Sequence, residues 1–383
     1  MIPRSGLLGS LRRSLAAGPV TALLGPRQSG KTTLARDLTR STRAHFFDLE
    51  DPADLAALAN PKMALEPLRG TVVIDEVQRM PGLFPALRVL ADRPRTPARF
   101  LLLGSASPEI VRGASETLAG RVSFVEMKGF ALGEVGARKI DPLWLRGGFP
   151  RSFLARSERD SFAWRNDFIK TFLERDIPQL GISIPALTLR RFWNMVAHFH
   201  GQIWNAAEFA RSLGSSEPTA RRYLDLLAGA FVLRVLPPWH ENLSKRQVKS
   251  PKIYVRDSGL LHHLLGIPTR RDLFRHPKFG ASWEGFALEQ LLSALKPRDA
   301  YFWSTHAGAE LDLLAFAGGR RLGFEFKSSE SPALSKSMRV ALTDLKLDRL
   351  FVVYPGPRSF RLSAKAEALA LTDLERAPWK GRY

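Results

Sequence analysis

The chain contains no cysteine. That excludes disulfide staples, thiolate zinc sites, iron–sulfur clusters and cysteine nucleophiles, and a chain needing no oxidising compartment is expected in the cytoplasm. Long apolar runs are missing too: no stretch approaches the ~18 residues that cross a bilayer, so no membrane span is expected. The sequence shows no internal repeat and no low-complexity tract, and its eight histidines form no metal-ligand spacing. His198 with His200, and His262 with His263, read as structural. Acidic residues are scarce against basic ones, 37 to 57, which leaves a net charge of +20. Such a surplus favours polyanionic partners, either nucleic acid or an anionic surface. With 45% hydrophobic and 25% charged residues, the 383-residue chain is ordinary globular material. At a soft ~150 residues per domain it holds two or three domains.

Arg12 and Arg13 before the apolar run Ser14–Leu24 loosely mimic an export signal. The run leads straight into a phosphate-binding sequence, so its end is expected to be a buried strand instead. That sequence is Gly25-Pro26-Arg27-Gln28-Ser29-Gly30-Lys31-Thr32, followed by Thr33, a full G-x-x-x-x-G-K-[ST] match between an apolar strand (Val20–Leu24) and a helix-prone run (Thr32–Arg40). Gly25 and Gly30 let backbone N–H groups turn around phosphate oxygens, and the helix adds its N-terminal donors. Lys31 reaches the β- and γ-phosphates of ATP, and the Thr32 hydroxyl helps hold Mg²⁺. A second strand, Thr71–Ile74, ends in Asp75 and Glu76, where parallel sheets bind ligands. Asp75 suits the magnesium shell and Glu76 the base that polarises the attacking water. A third strand, Phe100–Leu103, ends in Gly104-Ser105-Ala106-Ser107. Ser105 either orients the water or γ-phosphate or merely closes a strand-end turn. Arg121, in Leu118-Ala-Gly-Arg121 before the strand Val122–Met127, is a trans-acting arginine for a neighbouring subunit or a plain turn residue.

These motifs are similar to those of AAA+ ATPases. Leu118–Arg121, Leu145-Arg-Gly-Gly-Phe-Pro150 and Pro251-Lys-Ile-Tyr-Val-Arg-Asp-Ser-Gly-Leu260 narrow the resemblance to the bacterial and archaeal AAA ATPases with a C-terminal DUF4143 region. It runs from about Leu7 to Ser329. The resemblance implies an α/β chain: a P-loop AAA+ parallel-sheet core, a helical lid, a winged helix–turn–helix and a C-terminal restriction-endonuclease-like α/β domain. The expected divisions are residues 1–130 for the core, 131–190 for the lid or linker, 191–278 for the winged helix and basic segment, and 279–383 for the last domain.

Residues 130–190 read as amphipathic helix, with Phe162, Ile169, Phe172 and Leu173 inward and Arg165, Asp167, Lys170 and Arg175 outward, broken by Pro178 and Pro185. Arg146 and Arg151, beside Gly147-Gly148, are weak candidates for phosphate sensing. Asn205–Leu213 reads as a capped helix, Gly214–Pro218 as a turn, and Ala220–Leu227 as a second helix capped by Thr219. Phe231–Leu236 reads as a wing strand. Arg221 and Arg222 fall where a recognition helix meets the major groove, although winged helices also serve as protein contacts. From Lys245 to Lys278 there are nine basic residues, Lys249 and Lys252 among them, against two acidic ones, which favours phosphate contacts. Trp239, Tyr254 and Phe274 there read as core.

Past Gly280, a helix carrying Glu284 precedes strands at Ala300–Trp303, Glu310–Phe316 and Arg321–Phe326. Asp312 in Gly308-x-Glu310-x-Asp312, with Glu325 and Lys327 two apart on one strand face, resembles a PD-(D/E)xK nuclease centre. There Asp312 and Glu325 would hold Mg²⁺, Lys327 would orient water and Glu284 would assist. Such domains cleave DNA or persist as binding platforms. The closing segment to Tyr383 reads as loosely ordered. Three functions stand. One is a DNA-translocating or branched-DNA-remodelling ATPase, acting on structures such as Holliday junctions as a homo-oligomeric, hexameric ring. The second is an ATP-gated nuclease; the third is a nucleotide-switched protein-interaction module.

Overall fold

A computed structural model of the chain describes residues 2–40, 42–94, 98–105, 116–179, 184–241, 247–377 and 379, save the side chains of Ser105 and Gln179. It forms two compact units, Met1–Gly129 with Gly229–Phe231, and Phe130–Ala228 with Val232–Tyr383.

The first unit is a parallel sheet of β1 (Val20–Gly25), β2 (Ala44–Asp48), β3 (Gly70–Asp75), β4 (Ala98–Ser105) and β5 (Val122–Glu126), in the order β2-β3-β4-β1-β5. Its helices include α1 (Ser5–Ala17), α2 (Lys31–Thr39) and α3 (Leu83–Ala91). Alternate residues of the same strands supply two cores. Leu23, Val73, Leu101 and Leu103 pack with Leu11 and Leu15 of α1 and Leu34 and Leu38 of α2. Ala22, Leu24, Val72, Ile74, Phe100 and Leu102 pack with Leu83, Leu87 and Leu90 of α3. Burial on both faces is why these strands read as continuous apolar runs rather than alternating ones. The export-like run is the end of α1, a break at Gly18-Pro19, and β1.

The second unit begins with helices, among them α4 (Ile140–Arg146) and α5 (Glu158–Thr171). Asp167, Lys170 and Arg175 are exposed as read, but Arg165 is fully buried. Its Nε and Nη1 donate to main-chain carbonyls, so a charge that the helical pattern assigns to water belongs to the interior. Next come α6 (Ala186–His198), β6 (Gln202–Ile203), α7 (Ala206–Leu213), α8 (Glu217–Gly229), β7 (Leu233–Leu236) and β8 (Lys252–Val255), with an antiparallel sheet ordered β6-β8-β7. Asn205 caps α7 by accepting from Glu208 N at 3.3 Å, and Gly214 ends it at φ 64°. The cap of α8 is Ser216, which accepts from Thr219 N at 3.3 Å, not Thr219 itself. Pro218 lacks only an N–H that the first helical turn leaves unused, so the helix starts before it.

After α9 (Ser258–Leu264), helix α10 (Phe279–Leu295) leads into a mixed sheet. Its strands are β9 (Asp299–Ser304), β10 (Glu310–Ala317), β11 (Arg320–Phe326), β12 (Arg349–Tyr354), β13 (Phe360–Arg361) and β14 (Ala366–Ala370), ordered β13-β14-β12-β11-β10-β9. Strands β11, β12 and β14 are parallel, and β9 and β10 continue antiparallel. Helix α11 (Lys336–Asp344) covers one face through Met338 and Ala341, against Trp303, Leu311, Leu314, Leu350 and Val352. The closing segment is held down as far as Trp379, which is buried edge-on against Phe324 and Phe351 at 5.6 and 5.2 Å. A large aromatic ring in that position outweighs the polar composition around it.

Candidate nucleotide site and a carboxylate–lysine cluster

The phosphate loop leaves β1 at its carboxyl end and enters α2. Gly25 is required there for space: a Cβ would sit 1.9 Å from Met127 O, because β5 runs alongside. Gly30 is required for conformation, at φ 96°, and Gln28 also adopts the left-handed region at φ 60°. Lys31 is buried, and its Nζ donates to the carbonyls of Gly25 and Pro26 at 3.0 and 2.9 Å. Burial, opposed by Glu76 and Asp75, pulls its pKa down to about 8. Next to it the Thr32 hydroxyl donates to Asp75 Oδ2 at 2.5 Å, so the two expected magnesium ligands share one locus. The Ser29 hydroxyl is buried without a hydrogen-bond partner among the described residues. An ammonium resting on carbonyls, an unused hydroxyl and a hydroxyl–carboxylate pair form a donor set that fits a magnesium triphosphate.

Glu76 adopts φ 52°, ψ 43°, an unfavourable backbone for a non-glycine residue and one that recurs at functional positions. Burial raises its pKa, against the pull of Arg27 and Lys31. Gln78 Nε2 donates to its carboxylate, and Arg27 bridges Glu50 at 2.6 Å and Glu76 at 4.0 Å. Sequence reasoning missed Glu50 and Gln78. Glu50 follows the end of β2, where the strand-end rule applied to Asp75 would have flagged it; Gln78 carried no such signal.

The Ser105 side chain, with Ala106 and Ser107, lies outside the described residues. Arg121 stands at the opposite end of the sheet from the loop, since Val122 pairs with Val20 and Glu126 with Leu24. At ~3.3 Å per residue, β5 separates it from the phosphate edge by about 17 Å, too far for any side chain. It is half-buried and paired with Asp92, Nε to Oδ1 at 2.5 Å and Nη2 to Oδ2 at 3.0 Å.

The two glycine-bearing segments of the second unit are structural. Asp257 accepts from Gly148 N at 2.7 Å and Leu260 N at 2.9 Å, while a Cβ on Gly259 would lie 2.1 Å from Arg146 O. Arg165 donates to Leu145 O and Gly259 O at 3.2 and 2.8 Å. Arg146 is committed to Ala155 O at 2.8 Å, and Arg151 is an exposed surface residue. His262 bridges Leu145 O and the Ser282 hydroxyl, and His200 accepts from Val255 N, so both are structural as read.

Arg221, Arg222 and Lys249 are exposed, whereas Lys245 and Arg246 lie outside the described residues. Trp239 packs on Tyr301 and Phe316, and Tyr254 is buried, but Phe274 is half exposed. Lys252 departs most from expectation. It is buried, and its ammonium lies among Glu284 (3.5 Å), Asp312 (3.4 Å) and Glu310. Against the downward push of burial, Tyr254 and these carboxylates hold its pKa well above the ordinary lysine value. Tyr254 donates to Glu284 at 2.7 Å, Phe326 N to Asp312 at 3.0 Å, and Lys327 to Glu325 at 3.0 Å. Burial and Asp312 push Glu325 up to about 8 and Glu284 up to about 7. Among the described residues no three His, Asp or Glu side chains are arranged to hold a metal ion. The fold therefore gathers all four expected residues of this centre, but with the Lys252 ammonium against two of them, Glu284 and Asp312.

Residues 17–136 match the AAA domain, residues 137–271 a domain of unknown function (DUF8612), and residues 279–374 the domain of unknown function DUF4143. DUF4143 thus covers the mixed sheet, and the helix–strand unit before it falls to a separate family. Uncharacterized proteins of Mycobacterium tuberculosis and Mycobacterium bovis are each 56% identical over 363 residues, spanning 95% of this chain and 82% of their own length. A Walker-type ATPase of Pyrococcus abyssi shares the fold at a TM-score of 0.51 and 14% identity, over 69% of this chain and 96% of that one. Among the described residues no helix is long and apolar enough to cross a membrane.

Proposed function

Since the chain belongs to the AAA-type ATPases that carry a C-terminal DUF4143 region, we propose that it hydrolyses ATP to move or remodel DNA, acting as a homo-oligomeric ring. The observation that carries the ATPase part is the convergence of Lys31, Thr32, Asp75 and Glu76 beyond the carboxyl ends of β1 and β3. Thr32 and Asp75 would hold Mg²⁺, which would supply positive charge to offset the negative charge developing on the phosphates. Lys31 would exchange its two carbonyl partners for phosphate oxygens, a trade favoured because a buried ammonium gains a full negative charge. Glu76, released from Gln78, would accept a hydrogen bond from the attacking water and orient it.

The DNA part is supported by charge and placement. The second unit holds 39 of the 57 basic residues against 25 of the 37 acidic ones. We read α6–β8 as a winged helix whose α8 presents Arg221 and Arg222 at its exposed amino end, with Lys249 ahead of β8. Duplex and branched DNA, the Holliday junction included, both suit a ring with such modules. We read the C-terminal domain as a PD-(D/E)xK-like fold. We do not propose cleavage at Asp312, Glu325 and Lys327, because the Lys252 ammonium lies 3.4 Å from Asp312, one of the two carboxylates expected to hold the metal.

ATP turnover measured with and without single-stranded, duplex and four-way DNA tests this reading. Stimulation by at least one form is expected. Turnover indifferent to every DNA, together with ATP-dependent capture of a protein, would favour a nucleotide-switched interaction module instead.

A further inference from the structure

We propose that the resident cation of the C-terminal carboxylate cluster is the ammonium of Lys252 rather than a divalent metal, making the cluster an ionic clasp that fastens β8 to the mixed sheet. The argument begins with position. Lys252 is the first residue of β8, a strand of the three-stranded sheet, and its Cα pairs with Ile203 and Leu236. Its side chain leaves that sheet and ends among Glu284 of α10 and Glu310 and Asp312 of β10. Three segments distant in sequence therefore meet on one ammonium.

Charge and access follow from this. Lys252 is 4% exposed, so it gives up hydration and needs compensating carboxylates on every open side. Other groups around it are engaged by the protein itself. Glu284 also takes the Tyr254 hydroxyl, Asp312 also takes Phe326 N, and Lys327 occupies Glu325. The ring of Phe302 lies 5.7 Å from the Lys252 ammonium, an apolar and cation-tolerant boundary. A magnesium ion needs oxygens at about 2.0–2.1 Å in near-octahedral array. To obtain them here it would have to take Asp312 from a buried ammonium and then remain beside that ammonium. The residues present thus do not fit a resident magnesium ion, although they match the residue types of a nuclease centre. Their order along the chain suggests the nuclease, and a lysine 60 residues before Asp312 in sequence overrides it.

The test uses the full chain without nucleotide, so that the phosphate loop binds no metal. Mn²⁺ is titrated by equilibrium binding, and a double-mutant cycle of Lys252→Met and Asp312→Asn is read by urea unfolding. The parent is expected to bind no Mn²⁺ that Asp312→Asn removes, and EDTA should leave its unfolding curve unchanged. Lys252→Met should lower the unfolding midpoint, and adding Asp312→Asn should return part of it, with a coupling of about tenfold in the unfolding equilibrium. Stoichiometric Mn²⁺ binding by the parent, abolished by Asp312→Asn, overturns the proposal; so do strictly additive substitutions. Should Lys252→Met fail to fold, the Mn²⁺ titration of the parent decides alone.

Discussion

His262 lies where no water reaches, and both ring nitrogens are spoken for: Nδ1 faces Leu145 O at 3.0 Å and Nε2 faces the Ser282 hydroxyl at 2.7 Å. Ser282 also accepts from Trp144 Nε1 at 2.9 Å, so its own proton points to the imidazole. The ring is therefore neutral, with its proton on Nδ1. Burial pulls the pKa of His262 down to about 3, and that of His200 likewise to about 3. In the unfolded chain each takes up a proton near pH 6.5, whereas the folded protein does not until about pH 3. Between those values acid favours unfolding, at roughly 1.4 kcal/mol per pH unit for each ring. Urea unfolding at a series of pH values should show stability falling below about pH 6.5, and His262→Asn should flatten the slope by about one proton. An unchanged slope would mean that the ring titrates normally. Sequence reasoning assigned these histidines to structure because an apolar neighbourhood is visible in a sequence. It misplaced Arg165 and Lys252 because nothing local marks a charge as buried. Their partners, the carbonyls of Leu145 and Gly259 and the carboxylates of Glu284, Glu310 and Asp312, lie far along the chain.

Legibility of whole elements follows the same division between local and distant causes. Strands β1, β3 and β4 stand out because burial on both faces forces apolar runs, and α7 because its cap and its terminal glycine are local. The start of α8 is read one turn late, since Pro218 resembles a breaker until its position in the first turn is known. Gly147 and Gly148, beside the arginines considered for phosphate sensing, and Gly259 of α9 serve close packing. Gly259→Ala should therefore leave nucleotide affinity intact while destabilising the second unit by about 1–3 kcal/mol, the usual effect of a side chain forced into occupied space. A loss of nucleotide binding with unchanged thermal stability would contradict that assignment. Helix α8 carries the complementary prediction. If Arg221 and Arg222 each neutralise one phosphate, Arg221→Ala/Arg222→Ala should weaken binding to all DNA sequences alike and lower the salt slope of log K by about 2. Equilibrium binding from low to moderate salt measures this; an unchanged slope would place the DNA elsewhere or assign α8 to a protein.

At the scale of the whole molecule, and of the ring proposed for it, the question is what completes the nucleotide site. Within one chain the loop offers Lys31 as a phosphate-binding cation, with Arg27 engaged by Glu50 at 2.6 Å, and Arg121 lies at the far edge of the sheet. An arginine there acts on phosphate only in a neighbouring subunit. Its pairing with Asp92 is exposed, the kind of contact that contributes little and exchanges readily for a stronger anion. A ring in which each Arg121 leaves Asp92 for the next subunit's γ-phosphate makes hydrolysis conditional on assembly. Two inactive variants together test this. Lys31→Met loses the phosphate contact, and Arg121→Ala leaves the loop intact but should lower turnover by about 10³-fold or more. Mixed in equal amounts and allowed to exchange, they create interfaces that join an intact loop from one chain to an intact Arg121 from the other. In a randomly assembled ring about a quarter of the interfaces are of this kind, so a comparable share of parental turnover should return. Recovery would fix both the subunit contact and its direction, because the arrangement is head-to-tail and only one pairing of the variants restores a complete site. If Arg121→Ala alone keeps full turnover, the arginine serves Asp92 and nothing else; if the mixture stays inactive, catalysis does not borrow Arg121 across subunits.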